Sequence, residues 1–324
     1  MNRLPIGRLI GMPKLRSPLQ LAIGRPFNAL LQVVALGSAL FLTPALANCV
    51  PPGEWRLPGQ GVVAQSVILE KAAAARVVLL GETHDNADHH RWQLSVVQEL
   101  LHAVRRQASG RRLIMGFEAF PRAAQPVLDR WVAGELGEQE FLKAVEWERI
   151  WGFDGSLYLP LFRLARDERL PMLALNVSRE TVRAVSARGL DAVVLDAREG
   201  VRRPIPPSVA YLDWLYDIYA GHRRPGDILS RGDVAFTRFA EVQVFWDGAM
   251  AQALESAVSR DASALVVGII GSGHLRHGWG VPHQLAALGQ PTVVTLLPWD
   301  NGARCEPVVR GVADAVFGIA APGP

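Results

Sequence analysis

Two short turns carry the residue types of acid–base or metal chemistry. Gly81-Glu82-Thr83-His84 follows the apolar run at 76–80, and Gly271-Ser272-Gly273-His274 follows the run that ends at Ile270. Each sets a histidine three residues after a glycine, just past a predicted strand. Glu118 stands in a comparable place after the run at 112–117. Glycine lets a chain leave a strand at an angle closed to bulkier residues. In an open parallel sheet the strand carboxyl ends line the ligand crevice. Glu82, His84, Glu118 and His274 can therefore converge. Two imidazoles and two carboxylates suit a divalent metal ion. Without metal the same four suit a hydrolase, as general base and electrostatic stabiliser. The bland alternative is that His84 caps a helix and Glu82 pairs with an arginine.

Asp85-Asn86-Ala87-Asp88-His89-His90 adds further polar atoms beside the first turn. Asp85 or Asn86 is expected to cap the following helix. His90 and Gln93 are three apart and share a face. That face can look into the crevice, whereas His89 is expected among solvated residues.

The elements that must position these groups are legible as alternation. Further apolar runs of four to seven residues occur at 172–177, 192–195, 264–270 and 292–297. Such runs, without polar alternation, fit strands buried on both faces. Between them, 86–104 places Val97, Leu100, Leu101 and Val104 on one helical face. Ser178 is expected to cap a helix through Arg188. Residues 233–258 read as one long helix. The fold class is α/β: a mostly parallel central sheet flanked by helices. Two segments, about 121–166 and 202–258, read as helical insertions over the carboxyl edge of the sheet.

The chain has 324 residues, 49% hydrophobic and 20% charged, which excludes a wholly disordered polymer. Its net charge of +3 comes from the N-terminus. Residues 1–47 hold Arg3, Arg8, Lys14, Arg16 and Arg25 and no acid. Of 34 basic side chains this leaves 29 against 31 acidic ones, so the rest of the chain is nearly neutral. Nothing in that balance argues for a nucleic-acid partner. The five cations, an apolar stretch and Ala45-Leu46-Ala47 read as a secretory signal at 1–47, cut after Ala47. A single domain would then occupy 48–324, exported to the periplasm or to the outer membrane. Cys49 lies just past the cut and admits two readings: lipidation, which Asn48 weakens, or a disulfide to Cys305.

These motifs, in order, resemble the ChaN-like haem-binding uptake proteins of the Tiki and erythromycin-esterase-like superfamily. Gly81-Glu82-Thr83-His84-Asp85-Asn86 with His89, His90 and Gln93 resembles the opening motif. Gly116-Phe117-Glu118-Ala119-Phe120 resembles the second. Trp151-Gly152-Phe153-Asp154 with Tyr158-Leu159-Pro160, and Leu175-Asn176-Val177, resemble later segments. So do the helix at 243–251 and Gly271-Ser272-Gly273-His274 with Gly278-Trp279-Gly280-Val281-Pro282. The resemblance implies an α/β core, a haem ligand and a role in iron uptake. It also suggests a homodimer and an outer-membrane haem or iron receptor as partners. The wider group implies hydrolysis. Trp279 stands where tyrosine is expected, and a haem contact made there by a tyrosine would be lost.

Haem needs an apolar slot and an axial ligand such as His, Tyr, Met or Cys. The second insertion offers Tyr216, Tyr219, His222 and Trp246, and His277 lies near His274. Arg223 and Arg224 suit propionates. No Cys-x-x-Cys-His occurs, which excludes covalent c-type attachment.

Overall fold

The computed structural model describes residues 50–106, 110–223, 230–290, 292–301 and 307–320. Cys49, Cys305, Arg224 and the expected signal segment lie outside them. Eight strands form one sheet: β1 (Trp55–Leu57), β2 (Gly61–Val63), β3 (Val77–Glu82), β4 (Leu113–Pro121), β5 (Met172–Asn176), β6 (Leu265–Gly271), β7 (Val293–Asp300) and β8 (Ala315–Ile319). Their order is β2-β1-β8-β7-β3-β6-β4-β5. The pairs from β8 to β5 are parallel, and β1 adds an antiparallel margin with β2 and β8.

The helices are α1 (Gln65–Ala74), α2 (Ala87–Arg106), α3 (Gln125–Val132), α4 (Glu138–Ala144), α5 (Trp147–Ile150), α6 (Leu159–Asp167), α7 (Arg179–Arg188), α8 (Val209–Gly221), α9 (Val234–Arg260) and α10 (Val281–Ala287). None of the described helices is long and apolar enough to cross a membrane.

Strand alternation splits the core into two layers. Val78, Leu80, Met115 and Phe117 face one side, under α1, α2, α3 and α6. Val77, Leu79, Ile114 and Val266 face the other, under α9 and α10. Every residue of β3 and β6 is buried, which explains their unbroken apolar runs. The segment at 121–166 is more than a cover for the sheet's edge. Its Trp131, Phe141 and Phe162 belong to the first core layer, so it doubles as the β4–β5 crossover.

Local signals work where expected. The Asn86 side chain accepts from the N–H groups of Asp88 and His89 and so caps α2. The Ser178 hydroxyl accepts from Thr181 N–H and caps α7. The expected strand at 192–195 does not form. Val193 is buried beside Val182 and Val185, but Val194 and Leu195 are exposed and the chain runs through short 3-10 turns. The segment packs one side chain, Val193, against α7 and adds no strand beyond β5.

The parallel register sets the site. Gly81 pairs with Ile270 and Glu82 with Gly271, so the two glycine turns leave the sheet side by side. β4 pairs with β6 up to Phe117 and Ile269, which brings Glu118 to the same edge.

Candidate functional site: two imidazole relays around Glu118

Glu82, His84, Glu118 and His274 come together at the carboxyl ends of β3, β4 and β6, each at most 4% exposed. His84 Nδ1 lies 2.7 Å from Glu82 Oε1. Tyr158 donates its hydroxyl to the same oxygen at 2.5 Å. Gln93 Nε2 donates to Glu82 Oε2 at 3.0 Å, and His90 Nδ1 lies 3.5 Å from that oxygen. Among the described residues Glu82 thus has no arginine partner. It orients His84, and it is held in turn by one tyrosine and one amide.

The second histidine has the same construction from different elements. His274 Nδ1 lies 2.7 Å from Asp247 Oδ1, on α9. Tyr211 of α8 donates to Asp247 Oδ2 at 2.8 Å. The result is two relays of tyrosine, carboxylate and imidazole. Glu118 stands between them. It accepts the Gly271 N–H at 2.7 Å and lies 3.7 Å from His274 Nε2. A Cβ on Gly271 would sit 2.9 Å from His84 Cε1 and 3.3 Å from Glu118 Oε2, so only glycine leaves room for both.

Electrostatics follow from the pairing. Burial pushes the Glu82 carboxyl up, but the His84 hydrogen bond, the neighbouring imidazoles and Tyr158 outweigh it and bring it to about 2. Burial lowers His84, yet Glu82 and Glu118 raise it overall. Burial also opposes charge on His274, but Asp247 and Glu118 lift it to about 9. Burial raises Asp247, with His274 and Tyr211 opposing. Burial and an adjacent carboxylate push Tyr158 and Tyr211 well above the usual phenol range, so both remain neutral donors.

Both imidazoles spend Nδ1 on a carboxylate, and no three described His, Cys, Asp or Glu side chains are grouped to hold a metal ion. The divalent-ion expectation finds no support, because the ligand-capable atoms pair with one another. His84 Nε2 remains, buried and without a hydrogen-bond partner among the described residues. It lines a cleft of ≈ 300 Å³ walled by Trp151, Phe153 and Trp246.

His90 sits where its spacing suggests: its Nδ1 faces Gln93, and its Nε2 lies 3.1 Å from the His84 carbonyl. His89 is not solvated. It accepts the Thr83 N–H at 2.9 Å and meets Asp300 at 2.8 Å, tying the first turn to β7. Asp247, Tyr211 and Tyr158 fall within segments that the sequence singles out, but none of them is marked there as part of the site. A signal for Asp247 existed: it is the single charge between Val242 and Leu254 on a long apolar helix.

The residues considered for haem divide. Tyr219, His222 and Trp246 line an apolar groove of ≈ 670 Å³ between α7, the end of α8 and α9, together with Arg183, Arg223 and Arg238. Tyr216 lies outside that lining, edge-on to Phe236 at 5.1 Å with Arg231 over its ring. His277 stacks on Trp279 at 4.2 Å, near the His274 turn. Trp246 walls both the groove and the His84 cleft.

A family model described as "Haem-binding uptake, Tiki superfamily, ChaN" matches residues 68–285. The chain belongs to this family. The fold agrees with a solved structure, cofacial heme binding to ChaN of Campylobacter jejuni. Its TM-score is 0.62 at 18% identity, over 79% of this chain and 92% of that one. Erythromycin esterase EreC in its open conformation is more distant, with TM-score 0.45 and 12% identity over 76% of this chain and 77% of that one. The type III effector HopBA1 also scores 0.45, at 11% identity over 84% of this chain and 99% of that one. No curated protein sequence matches the chain.

Proposed function

We propose that this ChaN-family protein binds haem in the groove between α7, α8 and α9 and serves haem or iron uptake after export. The observation that carries the reading is the groove itself. It combines Phe239, Val242 and Trp246 as apolar wall with two iron-capable side chains and three arginines. His222 Nδ1 lies 2.6 Å from the Ile218 carbonyl. A neutral ring that donates there keeps its lone pair on Nε2, the form that binds iron. Tyr219 accepts a hydrogen bond from Arg223, whose guanidinium also covers the phenol ring at 4.6 Å. Arg183, Arg223 and Arg238 offer the planar donors that carboxylates such as propionates favour.

Export to the periplasm, pairing of two copies and delivery from an outer-membrane receptor belong to the same proposal. They rest on the signal-like N-terminus and the family. The groove is tested by hemin titration. Wild-type protein shifts the Soret band at micromolar concentration. The double variant Tyr219→Phe/His222→Ala binds at least about tenfold more weakly. His277→Ala, outside the groove, binds as wild type does.

A further inference from the structure

The ≈ 300 Å³ cleft beside His84 takes no part in the haem reading, yet its chemistry is specific. At its floor, His84 is 1% exposed and its Nε2 has no hydrogen-bond partner among the described residues. A buried polar nitrogen left unsatisfied costs stability unless something meets it. Glu118 lines the same floor. His84 and Glu118 approach each other across Gly271, which places no side chain between them. One hydroxyl group can satisfy both, accepting from the imidazole and donating to the carboxylate. The walls are flat and apolar: Trp151, Phe153 and Val182, closed by Trp246.

Arg179 stands at the same cleft without a hydrogen bond or ion pair among the described residues. Burial, Arg183 and Arg149 work against its charge, and only Glu180 favours it. Its neighbours are engaged elsewhere: Arg149 pairs with Glu146, and Arg183 lies 3.5 Å from Glu180. The N-terminus of α7 is already met by Glu199, which accepts from Ser178 N–H at 2.7 Å. The cation at this cleft left without a direct ion pair among the described residues is therefore Arg179. A single carboxylate offsets it, and a dianion would be penalised by Glu118 below.

We propose that this cleft binds a small hydroxylated carboxylic acid with a flat apolar body. The hydroxyl bridges His84 and Glu118, the body lies between Trp151 and Trp246, and the carboxylate meets Arg179. The site is separate from the haem groove apart from the shared walls Trp246 and Val182, so it stands or falls independently of haem binding.

The test is tryptophan-fluorescence titration of the haem-free protein with 4-hydroxybenzoate, benzoate, phenol and inorganic phosphate. 4-Hydroxybenzoate quenches saturably below about 1 mM, while benzoate and phenol each bind at least about tenfold more weakly. Arg179→Ala weakens 4-hydroxybenzoate by about tenfold and leaves phenol unchanged, because only the carboxylate contact is lost. His84→Gln weakens 4-hydroxybenzoate and phenol, and its circular dichroism shows whether the fold is intact. Arg163→Ala, a surface change, leaves all four titrations as in wild type. No saturation below about 10 mM with any of them overturns the proposal. So does phosphate binding as tightly as the hydroxy acid, or an Arg179→Ala variant that binds it normally.

Discussion

His274 Nδ1 lies 2.7 Å from Asp247 Oδ1, although one group leaves a strand and the other sits in the middle of the longest helix. The contact depends on a missing side chain. A Cβ on Gly280 would lie 2.7 Å from Asp247 Oδ1 and 2.3 Å from the His274 carbonyl. Gly280→Ala must therefore move backbone and not just a rotamer. It is expected to lower stability by about 1–3 kcal/mol, read from the urea midpoint. An unchanged midpoint would show that the turn has slack.

The two relays set opposite pH limits. His274 has its folded value raised to about 9, above its value of 6.5 in an unfolded chain. Its contribution is fully present below pH 6.5 and is lost as pH rises through 9. Glu82 has its value lowered from 4.5 to about 2. Its contribution is present above pH 4.5 and is lost as pH falls towards 2. Melting temperature should be highest between these windows and fall on both sides. Asp247→Asn should bring the His274 titration down toward the ordinary range, as followed by NMR of the imidazole protons. A His274 that still titrates near its wild-type value would assign the shift to Glu118 alone.

Glu118 has two jobs that substitutions can separate. Glu118→Ala leaves the buried Gly271 N–H without its acceptor and should cost about 1–3 kcal/mol. Glu118→Gln keeps an acceptor oxygen but removes the charge. It should cost less stability while lowering the His274 value. Equal losses in both variants would mean that charge, not the N–H contact, carries the effect.

Tyr158 tests the first relay. Its hydroxyl donates to an ionised carboxylate that is 1% exposed at the side chain. Tyr158→Phe removes that donor with little change of shape. Chemical denaturation should show a loss of about 1.5–3 kcal/mol, and the His84 titration should shift with it. A neutral substitution would place the support of Glu82 on Gln93 instead.

The parts of this site visible in the sequence were local. Gly81 to His84 and Gly271 to His274 each lie within four residues, and the apolar runs before them announce β3 and β6. A parallel sheet then does the rest, because equal strand ends bring both turns to one edge. Asp247, Tyr158 and Tyr211 were not legible in that way. Helices α9 and α8 deliver Asp247 and Tyr211, the turn before α6 delivers Tyr158, and no spacing rule links residue 158 to residue 82. The short strands β1, β2 and β8 were missed for a related reason. β1 and β2 have three residues each, and their pairing is decided by partners far along the chain. The run at 192–195 shows the converse error: four apolar residues, of which only Val193 is fully buried, pack as turns and not as a strand.

The haem reading rests on one groove and can be put to one measurement. Purified protein is titrated with hemin, wild type beside Tyr219→Phe/His222→Ala, with the Soret band recorded at each step. The account predicts a saturable shift in wild type and at least about a tenfold loss of affinity in the double variant. A featureless wild-type titration, or a double variant that binds as well as wild type, would contradict it.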